Sequence, residues 1–266
     1  MKTGISTASL FLRQETEDAV STIKELGADC AEVFLQTFYE YRPEFSKALA
    51  GNLNGLEINS VHVNTFHIDS ALFSRSRRNR GDGFYWLDQV MRSAQLLGCK
   101  AYSFHGKAEY GFHSGADKTA DIDNVAERLR EAVEFCASYG VKLCLENVAW
   151  CIYNRPKIFT ELKRRIPDLC GVLDIKQARR SGFSYKEYIE DMKGSISHVH
   201  LSDVDKDGKM CLPGKGITDF TEVFKRLQGT GFDGNVIIEV YNENYSDISE
   251  LKQCLDYLNE IIYKLS

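Results

Sequence analysis

Short β-rich runs alternate with longer helical runs along this chain of 266 residues, and this alternation constrains the fold more than any other feature. Segments that alternate in this way are typical of parallel strands joined by helical crossovers. The predicted strands are residues 2–6, 31–35, 58–63, 101–105, 142–148, 170–174, 196–201 and 235–240. The predicted helices are residues 17–26, 42–52, 83–97, 122–139, 157–165, 185–192, 220–227 and 249–264.

Eight strand–helix units in roughly 250 residues match the size of a (β/α)8 barrel. We therefore predict an α/β fold, a (β/α)8 TIM barrel that forms a single domain over residues 1–266. The alternative is an open doubly wound sheet, but no Gly-x-Gly-x-x-Gly follows the first predicted strand. No linker rich in Pro, Gly or Ser interrupts the sequence, which also favours one domain.

Composition narrows the classes of function. Asp and Glu number 38 against 33 Lys and Arg, and this charge of −5 argues against a general nucleic-acid binder. No apolar run approaches the roughly 18 residues that span a bilayer, and the apolar patch at residues 8–12 is too short for a signal peptide. Eight scattered cysteines without a Cys-x-x-Cys pair favour reduced thiols. We expect a cytoplasmic protein that binds neither nucleic acid nor membrane.

Ionisable residues stand at the C-terminal ends of several predicted strands, where the active sites of such barrels lie. Glu146, Asp174 and Glu239 end apolar runs on predicted strands five, six and eight, and His200 lies on strand seven between them. Three carboxylates in a small cavity need a cation, because their pKa values would otherwise rise. We predict one divalent metal ion bound by these four residues. An O,O,O,N set suits Mn²⁺, Mg²⁺, Co²⁺ or Zn²⁺ and does not choose among them.

Two histidines compete for the ligand position on predicted strand seven. His198 and His200 are two residues apart, so their side chains point to the same face of the strand. His200 lies nearer the C-terminal end and is the preferred ligand. We interpret His198 as a deeper residue that packs in the barrel or supports the ligand.

Several short motifs follow one another along the chain in a distinctive order. They are Leu145-Glu146-Asn147, Leu173-Asp174, His198-Val199-His200-Leu201-Ser202-Asp203, Leu212-Pro213-Gly214-Lys215-Gly216 with Asp219-Phe220, and Ile238-Glu239. Their order and spacing resemble those of the xylose isomerase-like barrels, in particular the sugar phosphate isomerase/epimerase group, and the resemblance covers essentially the whole chain. It implies that Glu146, Asp174, His200 and Glu239 bind one divalent metal ion.

One departure from the family pattern bears on the substrate. The family often has Asp-x-x-His after strand six, whereas this chain has Gln177 in place of the histidine. Glutamine donates and accepts hydrogen bonds but does not titrate. If the family histidine touches substrate, Gln177 binds substrate here with altered selectivity.

Other residues are candidates for substrate binding. His62 and His105, at the ends of strands three and four, are expected to contact substrate or to support the ligands. Glu32, in an apolar strand, either hydrogen-bonds a sugar hydroxyl or forms an ion pair inside the barrel. The basic run at residues 74–80 is either a phosphate clamp or a solvated helix entry, and the second is favoured. Aromatic residues near strand ends, Phe66, Phe104 and Trp150, either stack on a sugar or fill the barrel top.

The resulting hypothesis is a metal-dependent isomerase or epimerase acting on a ketose or sugar phosphate through an enediolate. Glu146 and Glu239 are the predicted acid and base. A lyase of the keto-inositol dehydratase type is the main alternative. An apurinic-site endonuclease is disfavoured, because those enzymes use three zinc ions and more histidines than this chain offers at Gln177 and at residues 203–207. A barrel that only binds a ligand is a fourth class, and the resemblance suggests a homodimer or homotetramer.

Overall fold

Eight parallel strands close into a barrel in the computed structural model, which describes residues 1–64, 66–108 and 122–266. Each barrel strand pairs with its neighbour in chain order, and the first pairs with the last. The predicted (β/α)8 TIM barrel is therefore confirmed. The strands are β1 (Thr3–Ser6), β2 (Cys30–Leu35), β3 (Glu57–Val63), β4 (Ala101–Phe104), β5 (Lys142–Glu146), β6 (Cys170–Asp174), β7 (Ile196–Leu201), a separate antiparallel pair β8 (Asp203–Val204) and β9 (Met210–Cys211), and β10 (Asn235–Ile238).

Helices follow the barrel strands and cover the outside of the barrel. None of the helices in the described residues is long and apolar enough to cross a membrane. The helices are α1 (Thr16–Glu25), α2 (Pro43–Ala50), α3 (Asp69–Leu72), α4 (Arg77–Leu96), α5 (Ile122–Ala137), α6 (Ile158–Arg165), α7 (Ile175–Arg180), α8 (Tyr185–Asp191), α9 (Phe220–Gly229) and α10 (Ser249–Leu265).

Strand β7 shows how the sequence divides between the two sides of the barrel wall. Val199 and Leu201 are buried in the main apolar core, whereas His198 and His200 contact Glu32 inside the barrel. This is the period of two expected for a strand. Because side chains alternate along the strand, the two imidazoles lie inside the barrel and the two aliphatic side chains pack in the apolar core.

The helices pack against the barrel through apolar stripes. In α5 the buried positions Leu129, Ala132, Val133 and Cys136 recur at the spacing of one helix face. Gly140 follows α5 with a φ of 72°, a left-handed conformation that a glycine adopts without strain. The amphipathic pattern and the glycine that predicted this helix thus act as expected.

Several short elements were not predicted from the sequence, among them α3, α7 and the β8–β9 pair. Three predicted strands also end earlier than expected, since β4 stops at Phe104, β5 at Glu146 and β10 at Ile238. Glu239 therefore follows its strand rather than lying in it. The basic run at residues 74–80 contains the start of α4, where the Ser76 side chain accepts a hydrogen bond from the Asn79 N–H. This position agrees with the helix-entry interpretation.

Candidate metal centre

Four side chains from neighbouring barrel strands meet at the C-terminal end of the barrel. Glu146 ends β5, Asp174 ends β6, His200 lies on β7, and Glu239 directly follows β10. Strand pairing sets two of them side by side, because Asp174 lies opposite His200 in the β6–β7 register. One ligand atom from each of the four lies within 4.8 Å of all the others, and all four residues are buried. The residues predicted to bind one ion are therefore adjacent in space.

The donor atoms of this group fit a divalent cation. Among the described residues, Glu146 Oε2, Asp174 Oδ2 and His200 Nδ1 are buried and make no hydrogen bond, although each lies within 3.5 Å of an ionisable group that can carry the opposite charge. Such atoms are rare in folded proteins, because an unpaired buried polar atom costs free energy. Three carboxylates and an imidazole are ligands for Mn²⁺, Mg²⁺, Co²⁺ or Zn²⁺. The lack of hydrogen bonds at these atoms and the ligand set thus both fit such an ion.

Asn147 joins the ends of β5 and β6 and thereby fixes Asp174. Its side-chain oxygen accepts a hydrogen bond from Asp174 N at 2.7 Å, and its Nδ2 donates to the Asp174 carbonyl at 2.8 Å. Asp174 Oδ1 accepts from Gln177 N at 2.8 Å and so caps helix α7. With Oδ1 used in this way, Oδ2 is the oxygen left for the shared site.

Glu32 lies beneath the four ligands with no exposed surface. Its Oε2 lies 3.2 Å from His200 Nε2 and 3.3 Å from His198 Nε2, and it accepts hydrogen bonds from Ser60 at 2.7 Å and Ser103 at 2.6 Å. A carboxylate on the second nitrogen of an imidazole orients that ring for a metal. Both oxygens of Glu32 are bonded inside the barrel, so its geometry agrees with the ion-pair alternative rather than with contact to a sugar.

Burial and neighbouring charges have opposite effects on the pKa values of Glu32 and His200. Burial alone would raise the pKa of Glu32, but the charge of His200 and hydrogen bonds from His198 and His200 hold it well below the usual range. Burial alone would lower the pKa of His200, yet the Glu32 and Glu239 carboxylates raise it well above normal. A divalent cation at this site would compete with the proton that makes the His200 imidazole positively charged, since a ligating imidazole must be neutral.

His62 and His105 lie against the same carboxylates. His105 Nε2 is 3.2 Å from Glu146 Oε2, and its backbone N–H donates to the buried Asp69 carboxylate at 2.9 Å. His62 Nδ1 lies 3.7 Å from Glu32 and 3.8 Å from Glu239, and the two imidazole rings are 4.6 Å apart. Both histidines therefore border the site, although neither belongs to the four-residue group. The sequence analysis did not select Asp69, because this residue lies in α3, a short helix that was not predicted.

A fifth charged side chain, Lys176, enters the site and was missed by the sequence analysis. Its Nζ lies 3.0 Å from Glu239 Oε2 and 3.2 Å from Asp174 Oδ2, and only 7% of the residue is exposed. Burial alone would lower the pKa of Lys176, but the Asp174 and Glu239 carboxylates raise it. The available signal was the position of this lysine, two residues after Asp174.

A cavity of about 260 Å³ opens above these groups. Its floor is polar and its rim is aromatic, an arrangement that suits a small polar molecule with an apolar face. A larger cavity of about 750 Å³ has Phe73, Arg128 and Phe183 in its wall, but the four convergent groups do not line it. The smaller cavity is lined by residues that include Phe11, Phe34, Gln36, His62, Asn64, Phe66, His105, Glu146, Trp150, Lys176, Gln177, Glu239 and Tyr241.

A family model described as the xylose isomerase-like TIM barrel matches residues 20–261, nearly the whole chain. The chain belongs to this family. The expected resemblance to xylose isomerase-like barrels is thereby confirmed.

Two curated proteins align with parts of this xylose isomerase-like barrel. An uncharacterized protein of Methanocaldococcus jannaschii is 30% identical over 150 residues, which are 53% of this chain and 50% of that protein. An inosose dehydratase of Yersinia enterocolitica is 26% identical over 171 residues, 55% of this chain and 57% of that protein. The matched segments thus span about half the length of each relative.

Solved structures share the fold along the entire barrel. A D-psicose 3-epimerase from Clostridium cellulolyticum H10, solved with D-tagatose, superposes with a TM-score of 0.80 at 18% identity and covers 98% of this chain and 99% of its own. An IOLI protein with a bound zinc atom has a TM-score of 0.79 at 19% identity and covers 99% of both chains. At these identities the likeness establishes the fold alone.

The remaining sequence candidates divide between the cavity and the core of this xylose isomerase-like barrel. Gln177 lines the cavity, and its side-chain oxygen accepts from Ala149 N at 3.3 Å. Phe66 and Trp150 stack at the rim with centroids 5.5 Å apart, whereas Phe104 is fully buried in the core. The Pro-Gly-Lys-Gly loop packs on Asp203 and does not line the cavity.

Proposed function

We propose that this chain is a divalent-metal-dependent isomerase or epimerase that acts on a ketose or a sugar phosphate. One observation carries the proposal: ligand atoms from Glu146, Asp174, His200 and Glu239 lie within 4.8 Å of one another, and two of these residues line the cavity above. The fold shared with a D-psicose 3-epimerase supports the substrate class. The zinc atom bound to the structurally similar IOLI protein supports a metal.

Glu146, Asp174, His200 and Glu239 would hold the ion. A divalent ion bound there supplies Lewis acidity, which polarises a carbonyl oxygen and lowers the cost of removing a proton from the adjacent carbon. Asn147 and the N-terminus of α7 keep Asp174 in place, and Glu32 keeps the His200 ring in place. These supporting contacts pre-orient the ligands before any substrate arrives.

Glu146 and Glu239 act as the acid–base pair. They come from β5 and from the end of β10, on two sides of His200, and both line the cavity. One carboxylate oxygen takes the proton from the carbon next to the carbonyl, and the other glutamate returns a proton. Return to the opposite face of the same carbon gives an epimer, and return to the neighbouring carbon gives an isomer. His62, His105 and Gln177 line the same cavity and hydrogen-bond the substrate hydroxyls.

A lyase acting on a keto-inositol is the second candidate function. The inosose dehydratase of Yersinia enterocolitica, 26% identical over 171 residues, favours it specifically. The same proton abstraction next to a carbonyl begins that reaction, which then eliminates water. The two candidates therefore share residues and differ in whether water leaves.

The Glu146→Gln and Glu239→Gln variants test the acid–base assignment. Each is expected to lose turnover by about 10²–10⁴-fold, since an amide cannot exchange a proton with the substrate. Wild type and variants are incubated with Mn²⁺ and a panel of ketoses, ketose phosphates and keto-inositols in heavy water, and deuterium entry at the carbon next to the carbonyl is followed by nuclear magnetic resonance.

The Glu134→Gln variant is the matched control, because Glu134 is exposed on α5 and does not line the cavity. It should retain full exchange, and circular dichroism should confirm that all three variants fold. Wild-type rates in either cavity variant would disprove the assignment. Product without loss of water supports the isomerase, and a dehydrated product supports the lyase.

A further inference from the structure

Lys176 places an ammonium group directly among the proposed metal ligands. Its Nζ bridges Glu239 Oε2 at 3.0 Å and Asp174 Oδ2 at 3.2 Å. The same two residues belong to the four-residue group whose ligand atoms lie within 4.8 Å of one another. The lysine is therefore a cation supplied by the chain itself, at the position where the carboxylates converge.

The ammonium and a divalent ion cannot share this position. Both would contact the same carboxylates, and two cations a few ångströms apart in a buried site repel each other strongly. The ammonium is a point charge on a flexible four-carbon stem, so it is able to leave. Space exists on the cavity side, because Lys176 lines the cavity and its Nζ lies 5.1 Å from the centroid of the Tyr241 ring.

We propose that Lys176 is a tethered cation that bridges Asp174 and Glu239 in the metal-free protein and competes with the divalent ion for that position. The inference rests on the metal site of the proposed function and deepens it. In the metal-free protein the ammonium offsets repulsion between the ligand carboxylates. Metal binding displaces it toward Tyr241 and the cavity. Lys176 thereby lowers the affinity of the site for metal ions. It also keeps the ligand carboxylates in place while no metal ion is bound.

Metal affinity measured by calorimetry tests this competition without any activity assay. Mn²⁺ is titrated into chelator-treated wild type, Lys176→Met and Lys193→Met. Methionine keeps the length and removes the charge, and Lys193 is an exposed lysine paired only weakly with Glu190 at 3.9 Å. We expect the Kd for Mn²⁺ to fall at least tenfold in Lys176→Met and to stay unchanged in Lys193→Met. An equal or weaker affinity in Lys176→Met would overturn the proposal.

Labelling of the wild-type protein provides a test that does not depend on how the variant folds. An amine-reactive ester is applied with and without saturating Mn²⁺, and modification of each lysine is quantified by peptide mass spectrometry. Displacement predicts several-fold more modification of Lys176 with Mn²⁺, while Lys193 stays constant. Equal modification of Lys176 in both states would overturn the proposal.

The two experiments also separate this inference from the function on which it rests. If wild type and Lys176→Met bind Mn²⁺ with the same Kd, the metal site stands and the competition falls. If neither protein takes up Mn²⁺, Co²⁺ or Zn²⁺, the metal-dependent function and the competition both fall. If Lys176→Met binds Mn²⁺ and wild type needs a far higher Mn²⁺ concentration to do so, the metal site and the competition by Lys176 are both supported.

Discussion

Glu32 illustrates what a fully buried carboxylate requires. It collects hydrogen bonds from Ser6, Ser60 and Ser103 and lies within 3.3 Å of the two β7 imidazoles, so all its charge is compensated inside the barrel. Removing one member of such a group leaves the others buried and unpaired, which is costly. The group contacts His200, a proposed ligand, so its integrity bears on both stability and the proposed metal site.

Replacing Glu32 with alanine is therefore expected to destabilise the fold. The free energy of unfolding should fall by about 3–5 kcal/mol, the range found when one partner of a buried charge pair is removed. Urea unfolding followed by circular dichroism measures it. Glu25→Ala, at the exposed end of α1, is the matched control and should change stability by less than about 0.5 kcal/mol. A loss below about 1 kcal/mol for Glu32→Ala would show that the buried group contributes little.

The sequence analysis selected residues at strand ends, four of which lie together in the structure, and it missed a residue whose position depends on a short helix. Glu146, Asp174, His200 and Glu239 were selected because a barrel strand carries its last residues to one end. Lys176 enters the site only because α7 begins at Ile175, capped by Asp174. No helix was predicted there, so the sequence analysis gave no reason to place the Lys176 side chain near the proposed ligands.

At the scale of elements, the β8–β9 pair and the loop after it depend on a single acidic side chain. Asp203 accepts hydrogen bonds from the backbone N–H groups of Val204, Gly214, Gly216 and Thr218 at 2.8–3.2 Å. The backbone packs so closely around it that a Cβ on Gly216 would lie 2.1 Å from the Val204 carbonyl oxygen and 2.5 Å from Asp203 Oδ1. Only glycine suits that position.

Two glycine-to-alanine variants test this packing against each other. Gly216→Ala should destabilise the fold by about 1–3 kcal/mol, because the crowding atom is backbone and cannot move alone. Gly229→Ala, at the end of α9 with nothing within 4 Å of the added Cβ, should instead stabilise it by about 0.4–1 kcal/mol. Thermal unfolding of both variants and wild type measures the difference. Equal midpoints for the two variants would contradict the close approach at Gly216.

At the scale of the whole molecule, the alternation of strands and helices was enough to predict the barrel, and β6 and β7 were predicted to the residue. The short helices α3 and α7 were not predicted because they have four and six residues, too few for a helical period to be visible in the sequence. The strand pairing that sets Asp174 opposite His200 is a tertiary property as well. The sequence was therefore enough to select the strands whose end residues converge, whereas the contacts that support those residues needed coordinates.

Because the four proposed ligands lie on or directly after four separate strands, an ion bound to them should stabilise the entire barrel. A ligand that binds only the folded state adds about 2.7 kcal/mol at a concentration of 100 Kd. The Tm of chelator-treated protein should accordingly rise with added Mn²⁺ and fall again on chelation, as differential scanning calorimetry would show. Asp174→Asn should lose this rise, since it replaces the ligand oxygen at the end of β6, whereas Asp256→Asn on the exposed face of α10 should keep it. A rise of the same size in Asp174→Asn would mean that Mn²⁺ binds elsewhere.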